Sequence, residues 1–174
     1  MWKRHSLSWL FALLACAGLL LAAGKGGGRL PQGTRIDRIV VKKSARQLIT
    51  FAKGQVVKVY RVALGGCPVG PKERAGDHRT PEGLFVIDSR NAQSAYHLSL
   101  HVSYPGPGDL ARARAGGYDP GGAIMIHGLP RGLGWLGPSH RLHDWTDGCI
   151  AVTDGEIEEL WRTVPDGTPI EILP

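Results

Sequence analysis

The chain is 174 residues long, enough for one ordinary domain and short for two. Hydrophobic residues supply 43% and charged residues 21%, which allows a packed core and excludes a wholly disordered chain. Glycine (25) and proline (12) make up about a fifth of the sequence, which argues against a helical bundle and for short strands joined by loops. Three cysteines are too few for a disulfide scaffold, and their odd number leaves at least one thiol unpaired within the chain.

Residues 1–25 read as a targeting segment. Lys3, Arg4 and His5 form a basic start, and no residue from Trp9 to Gly24 is charged. The length of that apolar run lies between a signal-peptide core and a membrane-spanning helix, so cleavage after Ala22-Ala23-Gly24 and retention of residues 9–24 as a membrane tether both remain open. Leu14 is a poor residue two positions before a lipid-modified cysteine, which counts against lipidation of Cys16. Either main reading implies export to the periplasm or cell envelope. The formal charge of +6 includes Lys3, Arg4 and Lys25; without residues 1–25 the balance is 18 basic to 15 acidic. That mild excess suits an anionic polymer or a membrane surface and lacks the dense basic patch of a nucleic-acid binder.

Residues 26–34 read as a Gly-rich linker, and 35–174 as the folded domain. Ile36, Ile39, Val40 and Val41 open a β-branched segment. Leu48–Phe51 and Val56–Val62, parted by Ala52-Lys53-Gly54, predict a hairpin. Gly83–Asp88, the alternating stretch Tyr96–Tyr104, Ala123–Ile126 and Thr168–Leu173 predict further strands. One helix is well marked: Thr153 and Glu156 have capping-box spacing, Ile157, Leu160, Trp161 and Val164 recur at helical intervals, and Pro165 ends it. The connections Leu64–Gly83 and Pro105–Gly122 are long enough to suggest function. The second carries Arg112 and Arg114 between glycine pairs and predicts a flexible lid with cationic reach.

The chemistry concentrates in two places. Ile126-His127-Gly128 delivers a histidine at the end of an apolar strand. Thr146-Asp147-Gly148-Cys149-Ile150 delivers a cysteine after a glycine. An imidazole can accept the proton of a thiol and stabilise the thiolate as an ion pair, and such partners need not be neighbours in sequence. On these two residues alone, a small buried hydrophobic Cys149 is an equally good reading.

The wider pattern decides between them. Gly65-Gly66-Cys67-Pro68-Val69-Gly70-Pro71-Lys72, Gly76-Asp77-His78-Arg79-Thr80-Pro81-Glu82-Gly83, Ile126-His127-Gly128 and Thr146-Asp147-Gly148-Cys149-Ile150 together resemble the L,D-transpeptidase catalytic domain (YkuD family) of bacterial cell-wall enzymes. The resemblance implies a mainly β, sandwich-like fold with one helix in the C-terminal half and long Gly/Pro loops. It also implies a cysteine acyltransferase acting on peptidoglycan stem peptides through a thioester, with no metal or organic cofactor. Carried over by position, Cys149 is the nucleophile, His127 its base, and Gly148 part of the tight turn and oxyanion geometry. The family motif has a histidine where this chain has Asp147, and often an arginine where it has Ala151. Asp147 then either shapes the loop or leaves a proton-transfer role to His140 or His143. Arg141, or Arg112 and Arg114, are the candidates to hold a substrate carboxylate, and Trp135 and Trp145 to line the groove.

Other readings stay open at this point. A hydrolase of the same fold would trim stem peptides (a carboxypeptidase or endopeptidase), and a non-catalytic cell-wall-binding module would explain the two motif departures. A zinc site built from His127, His140, His143 and Cys149 has the right ligand types but not a closed structural spacing. His78, His97 and His101 read as ordinary surface or strand histidines. An exported protein also permits a Cys67–Cys149 bridge, which would silence the nucleophile.

Overall fold

The computed structural model describes residues 28–174. The segment read as signal or tether, including residues 9–24, lies outside the described residues. Among the described residues no helix is long and apolar enough to cross a membrane.

Eight strands are laid out as β1 (Arg38–Lys42), β2 (Gln47–Ala52), β3 (Gln55–Arg61), β4 (Gly83–Asn91), β5 (Ser99–Val102), β6 (Met125–His127), β7 (Ile150–Ala151) and β8 (Pro169–Leu173). Their order across the sheet is β3-β2-β1-β8-β4-β5-β6-β7. The C-terminal strand is therefore central: β8 runs parallel to β1 and antiparallel to β4. β1 sits between β2 and β8, which is why Ile39, Val40 and Val41 are buried in succession rather than alternately. The β2–β3 hairpin turns through Lys53 and Gly54, both at positive φ, the geometry a two-residue turn needs to follow strand twist.

β4 belongs to both halves of the sheet. Its register shifts between Ile87 and Ser89, so the half built on β1 and β8 and the half built on β5–β7 fold toward each other. The chain just after β3 closes the curl. Ala63 and Ala151 exchange both backbone hydrogen bonds, at 3.0 and 2.8 Å, so β7 is braced on both edges. Ile39, Leu48, Tyr60, Ile87, Leu100, Ile126, Ile150 and Ile170 meet inside. This is the mainly β, sandwich-like architecture expected from the sequence.

Two α-helices flank the sheet. α2 (Asp154–Thr163) follows the expected capping box: the Glu156 carboxylate accepts from the Thr153 N–H at 2.9 Å, and Ile157 and Leu160 are fully buried. α1 (Pro107–Gly116) corrects the sequence reading of a flexible lid. Pro107 occupies its first position, Asp109 accepts from the Gly106 N–H at 2.9 Å, and Gly117 ends it in the left-handed region. The glycine pairs mark the ends of a helix rather than the hinges of a loop.

The Leu64–Gly83 connection carries no helix or strand, yet it is held from beneath. Lys43, 2% exposed, reaches into it from the turn after β1. Its ammonium donates to the carbonyls of Gly70 and Thr80 at 2.6 and 2.8 Å and pairs with Glu82 at 2.8 Å. Three acceptors match the three N–H bonds of the ammonium. Lys43→Met should therefore lower unfolding free energy by about 3 kcal/mol, since it strands two carbonyls and a carboxylate. A denaturant titration that finds the variant as stable as the parent would show that this anchor is dispensable.

Candidate active site

β6 and β7 pair in parallel, with Ile126 opposite Ile150 and His127 opposite Ala151. This register sets Met125 beside Cys149. Alternate residues share a face, so the side chains of His127 and Cys149 lie on one face of the sheet, displaced by two positions. Both line a cavity of about 300 Å³, together with Tyr96, Ala123, Trp145, Thr146 and Asp147.

The imidazole is fixed on both sides. Its ring is 3% exposed and packs 4.5 Å from the Tyr96 ring and 5.8 Å from that of Trp145, centre to centre. Nδ1 lies 2.7 Å from the Gly128 carbonyl. A carbonyl can only accept, so Nδ1 carries the proton and Nε2 presents its lone pair. The chain just beyond is clamped by α2: Asp154 accepts from the Leu129 N–H at 2.8 Å. A Cβ at Gly128 would come within 2.7 Å of that same carboxylate oxygen, which is why a glycine follows the histidine.

The cysteine rests on a tight turn. The Thr146 hydroxyl donates to the Cys149 carbonyl at 2.7 Å and accepts from the Gly148 N–H at 3.2 Å. Gly148 sits at φ +124°, and a Cβ there would fall 2.5 Å from the Arg79 carbonyl oxygen. The glycine is thus a steric requirement of the turn. Its N–H is engaged by the Thr146 hydroxyl.

The half-buried Cys149 sulfur accepts from the Met125 N–H at 3.4 Å and points its own hydrogen toward the Ala123 carbonyl at 3.5 Å. Ala123 is held at φ +53°, an unusual conformation for a residue with a side chain. Burial pushes the Cys149 thiol up. The Met125 N–H and the cation of Lys72 act against that push, and the Asp147 carboxylate adds to it. Burial pushes the His127 imidazole down, against a smaller opposing contribution from its Gly128 hydrogen bond. Both directions favour the neutral forms of the thiol and the imidazole at rest.

The other expected residues divide sharply. Trp145 reaches the cavity and stacks near His127. Trp135 is 77% exposed and does not line it. Arg141 is committed elsewhere, its guanidinium bound to the capping-box Glu156. Arg112 pairs with Asp109 on α1, and neither it nor Arg114 lines the cavity. None of these four lines the cavity that holds His127 and Cys149. His140 and His143 line a separate, largely apolar cavity that shares only Trp145 with the first. His140 is buried, and its imidazole is pushed down to about 4 by burial and by Arg141. Neither histidine lines the cavity beside Asp147. Cys67 and Cys149 are both free thiols.

Sequence reasoning passed over two residues that matter here. Tyr96 forms one wall against His127. His78 places Nδ1 2.7 Å from Asp147 Oδ1, so the carboxylate that replaces the motif histidine holds an imidazole from another loop. The motif departure at Asp147 was the available signal for the second, because a carboxylate beside a thiol calls for a counterpart.

A curled mixed sheet that opens a Cys–His cavity at the paired ends of β6 and β7 defines the L,D-transpeptidase type of fold. Residues 36–172 match the YkuD family, L,D-transpeptidase catalytic domain, and the chain belongs to that family. The putative L,D-transpeptidase YafK of Escherichia coli K12 is 28% identical over 132 residues, covering 72% of this chain and 46% of that protein. The chain thus spans less than half the length of that relative. Among solved structures, the helical cell shape determining protein Pgp2 of Campylobacter jejuni (K307A mutant) superposes with a TM-score of 0.60 at 22% identity, over 86% of this chain and 51% of that one. Bd1075 of Bdellovibrio bacteriovorus gives 0.55 at 27% identity, over 80% and 48%.

The resting protonation state can be read directly. Alkylation of Cys149 by iodoacetamide, followed by peptide mass spectrometry to separate it from Cys67, should keep accelerating through pH 9, because burial raises the thiol above its ordinary range. A rate that levels off below pH 7 would show instead a preformed thiolate–imidazolium pair.

Proposed function

We propose that this chain is a cysteine-dependent L,D-transpeptidase that transfers a peptidoglycan stem-peptide acyl group to an amine in the cell envelope. The observation that carries the reading is the shared cavity. It holds a half-buried thiol and an imidazole whose lone pair is available because the other nitrogen is tied to a carbonyl. Family membership supplies the substrate class. The similarity to a helical cell shape determining protein is in keeping with work on the wall.

In this reading His127 Nε2 takes the thiol proton as the sulfur attacks the acyl carbonyl. Burial lowers His127, so its imidazole is unprotonated at rest and free to accept the proton. The Met125 N–H, already directed at the sulfur, stabilises the charge as it forms. With the Gly148 N–H engaged by Thr146, the Cys149 backbone N–H is the donor on this turn left for the oxyanion. His127 returns the proton to the departing amine, which leaves a thioester on Cys149. An incoming amine then displaces the thiolate.

Purified protein incubated with tetrapeptide-bearing muropeptides should gain a thioester adduct on Cys149 and yield new cross-links. Shorter stems without cross-links would assign it to hydrolysis. Cys149→Ala should abolish turnover while leaving the melting transition in place, and His127→Gln should slow acylation by roughly 10²–10⁴-fold. Turnover retained in the cysteine variant would refute the nucleophile assignment.

A further inference from the structure

Resolution of the thioester by an amine raises a proton-balance problem that His127 alone does not solve. At neutral pH a free alkyl amine is an ammonium, R–NH3⁺. To form an amide it must lose two protons. One returns to the departing sulfur through His127. The other needs a second acceptor before the nitrogen has a lone pair with which to attack.

A second imidazole is bound to one residue of the cavity wall. Asp147, part of the cavity wall, holds His78 Nδ1 at 2.7 Å. A carboxylate at that distance accepts the Nδ1 proton, which turns the lone pair to Nε2, as the Gly128 carbonyl does for His127. Unlike His127, His78 is exposed, with about half of its side chain accessible to an incoming solute. Its backbone is held at φ +53°. Its carbonyl accepts from the Cys67 N–H at 3.0 Å, and a Cβ at Gly65 would lie only 2.2 Å from that oxygen. The loop therefore fixes the main chain of His78 tightly and leaves its ring at the surface. Its sequence neighbours do not compete for the ring: Asp77 is engaged by Lys72 at 2.7 Å, and Arg79 extends toward Gly70. Charged groups facing the thiol itself are Asp147 and Lys72.

We propose that His78, oriented by Asp147, is the acceptor-side base of this site, removing the first proton from the incoming ammonium. The inference rests on the transferase reading above. The step balances as follows. His78 Nε2 takes one proton from R–NH3⁺ and becomes an imidazolium paired with Asp147. The amine nitrogen bonds to the thioester carbonyl carbon, and the C–S bond breaks. The second amine proton passes by way of His127 to the sulfur, which restores the thiol. His78 then releases its proton to solvent. Water as acceptor has only one proton to lose on attack, so it needs His127 alone. The His78–Asp147 pair therefore favours transfer over hydrolysis.

The test separates the two half-reactions. His78→Asn suits the site because asparagine tolerates the left-handed backbone; Asp147→Asn is a second, independent variant. With the intact chain and muropeptide donor, thioester formation on Cys149 is followed by intact mass, and its decay by release of cross-linked and hydrolysed product. In His78→Asn, amine transfer at pH 7 should fall about 100-fold, while thioester formation stays within a few-fold of the parent. The product ratio should move toward hydrolysis. The transfer defect should shrink as rising pH supplies the acceptor as free amine, which a purely structural lesion would not do. Asp147→Asn should impair the same half-reaction less severely. Equal slowing of both half-reactions, or unchanged transfer in both variants, would overturn the assignment. Absence of any thioester in the parent protein would instead overturn the transferase reading, and this inference with it.

Discussion

The site depends on the pairing of two very short strands. β6 has three residues and β7 two, and neither would hold a register alone. The register is held because β7 is braced on both sides, by β6 and by the exchanged hydrogen bonds of Ala63 and Ala151. Ile126 and Ile150 are fully buried at the pairing step, so their side chains cannot turn outward without emptying the core. With that step fixed, His127 and Cys149 must share a face. A slip of one residue would place the sulfur on the opposite side of the sheet from the imidazole.

Around this pairing the backbone runs unusually close to itself. Gly65, Gly128 and Gly148 each occupy positions where a Cβ would meet neighbouring atoms at under 3 Å. The contacts at Gly65 and Gly148 join the Leu64–Gly83 connection to the Cys149 turn, and those at Gly128 join the chain leaving β6 to α2. Lys43 supports the Leu64–Gly83 connection from the core side, and Asp154 at the start of α2 supports the chain leaving β6. The strand framework therefore positions the thiol and the imidazole to within a residue, and the glycine contacts refine that placement.

The electrostatics follow from the same closeness. Burial that fixes His127 also holds it neutral, and burial of the sulfur disfavours its anion. Both shifts favour the neutral forms, while the Met125 N–H and the Lys72 cation act against the rise at the sulfur. Asp147 on the cavity wall is largely exposed and pairs with the exposed His78.

Much of this was legible from the chain itself. β-branched runs marked β1, β2, β3 and β8, because strand packing rewards those side chains wherever they occur. Thr153, Glu156 and the spacing from Ile157 to Val164 marked α2, because capping and helical periodicity are local. The motifs around His127 and Cys149 marked the thiol and imidazole that share the cavity. α1 was also locally signalled, by Pro107, Asp109 and Gly117, but its glycine pairs read more readily as hinges. Tertiary structure alone decided the central place of β8, the capture of Arg141 by Glu156, and the meeting of His78 with Asp147 across 69 positions. Such pairings join residues whose own neighbours in sequence carry no trace of the partner. They exist only once the sheet has curled and brought distant loops within hydrogen-bond reach.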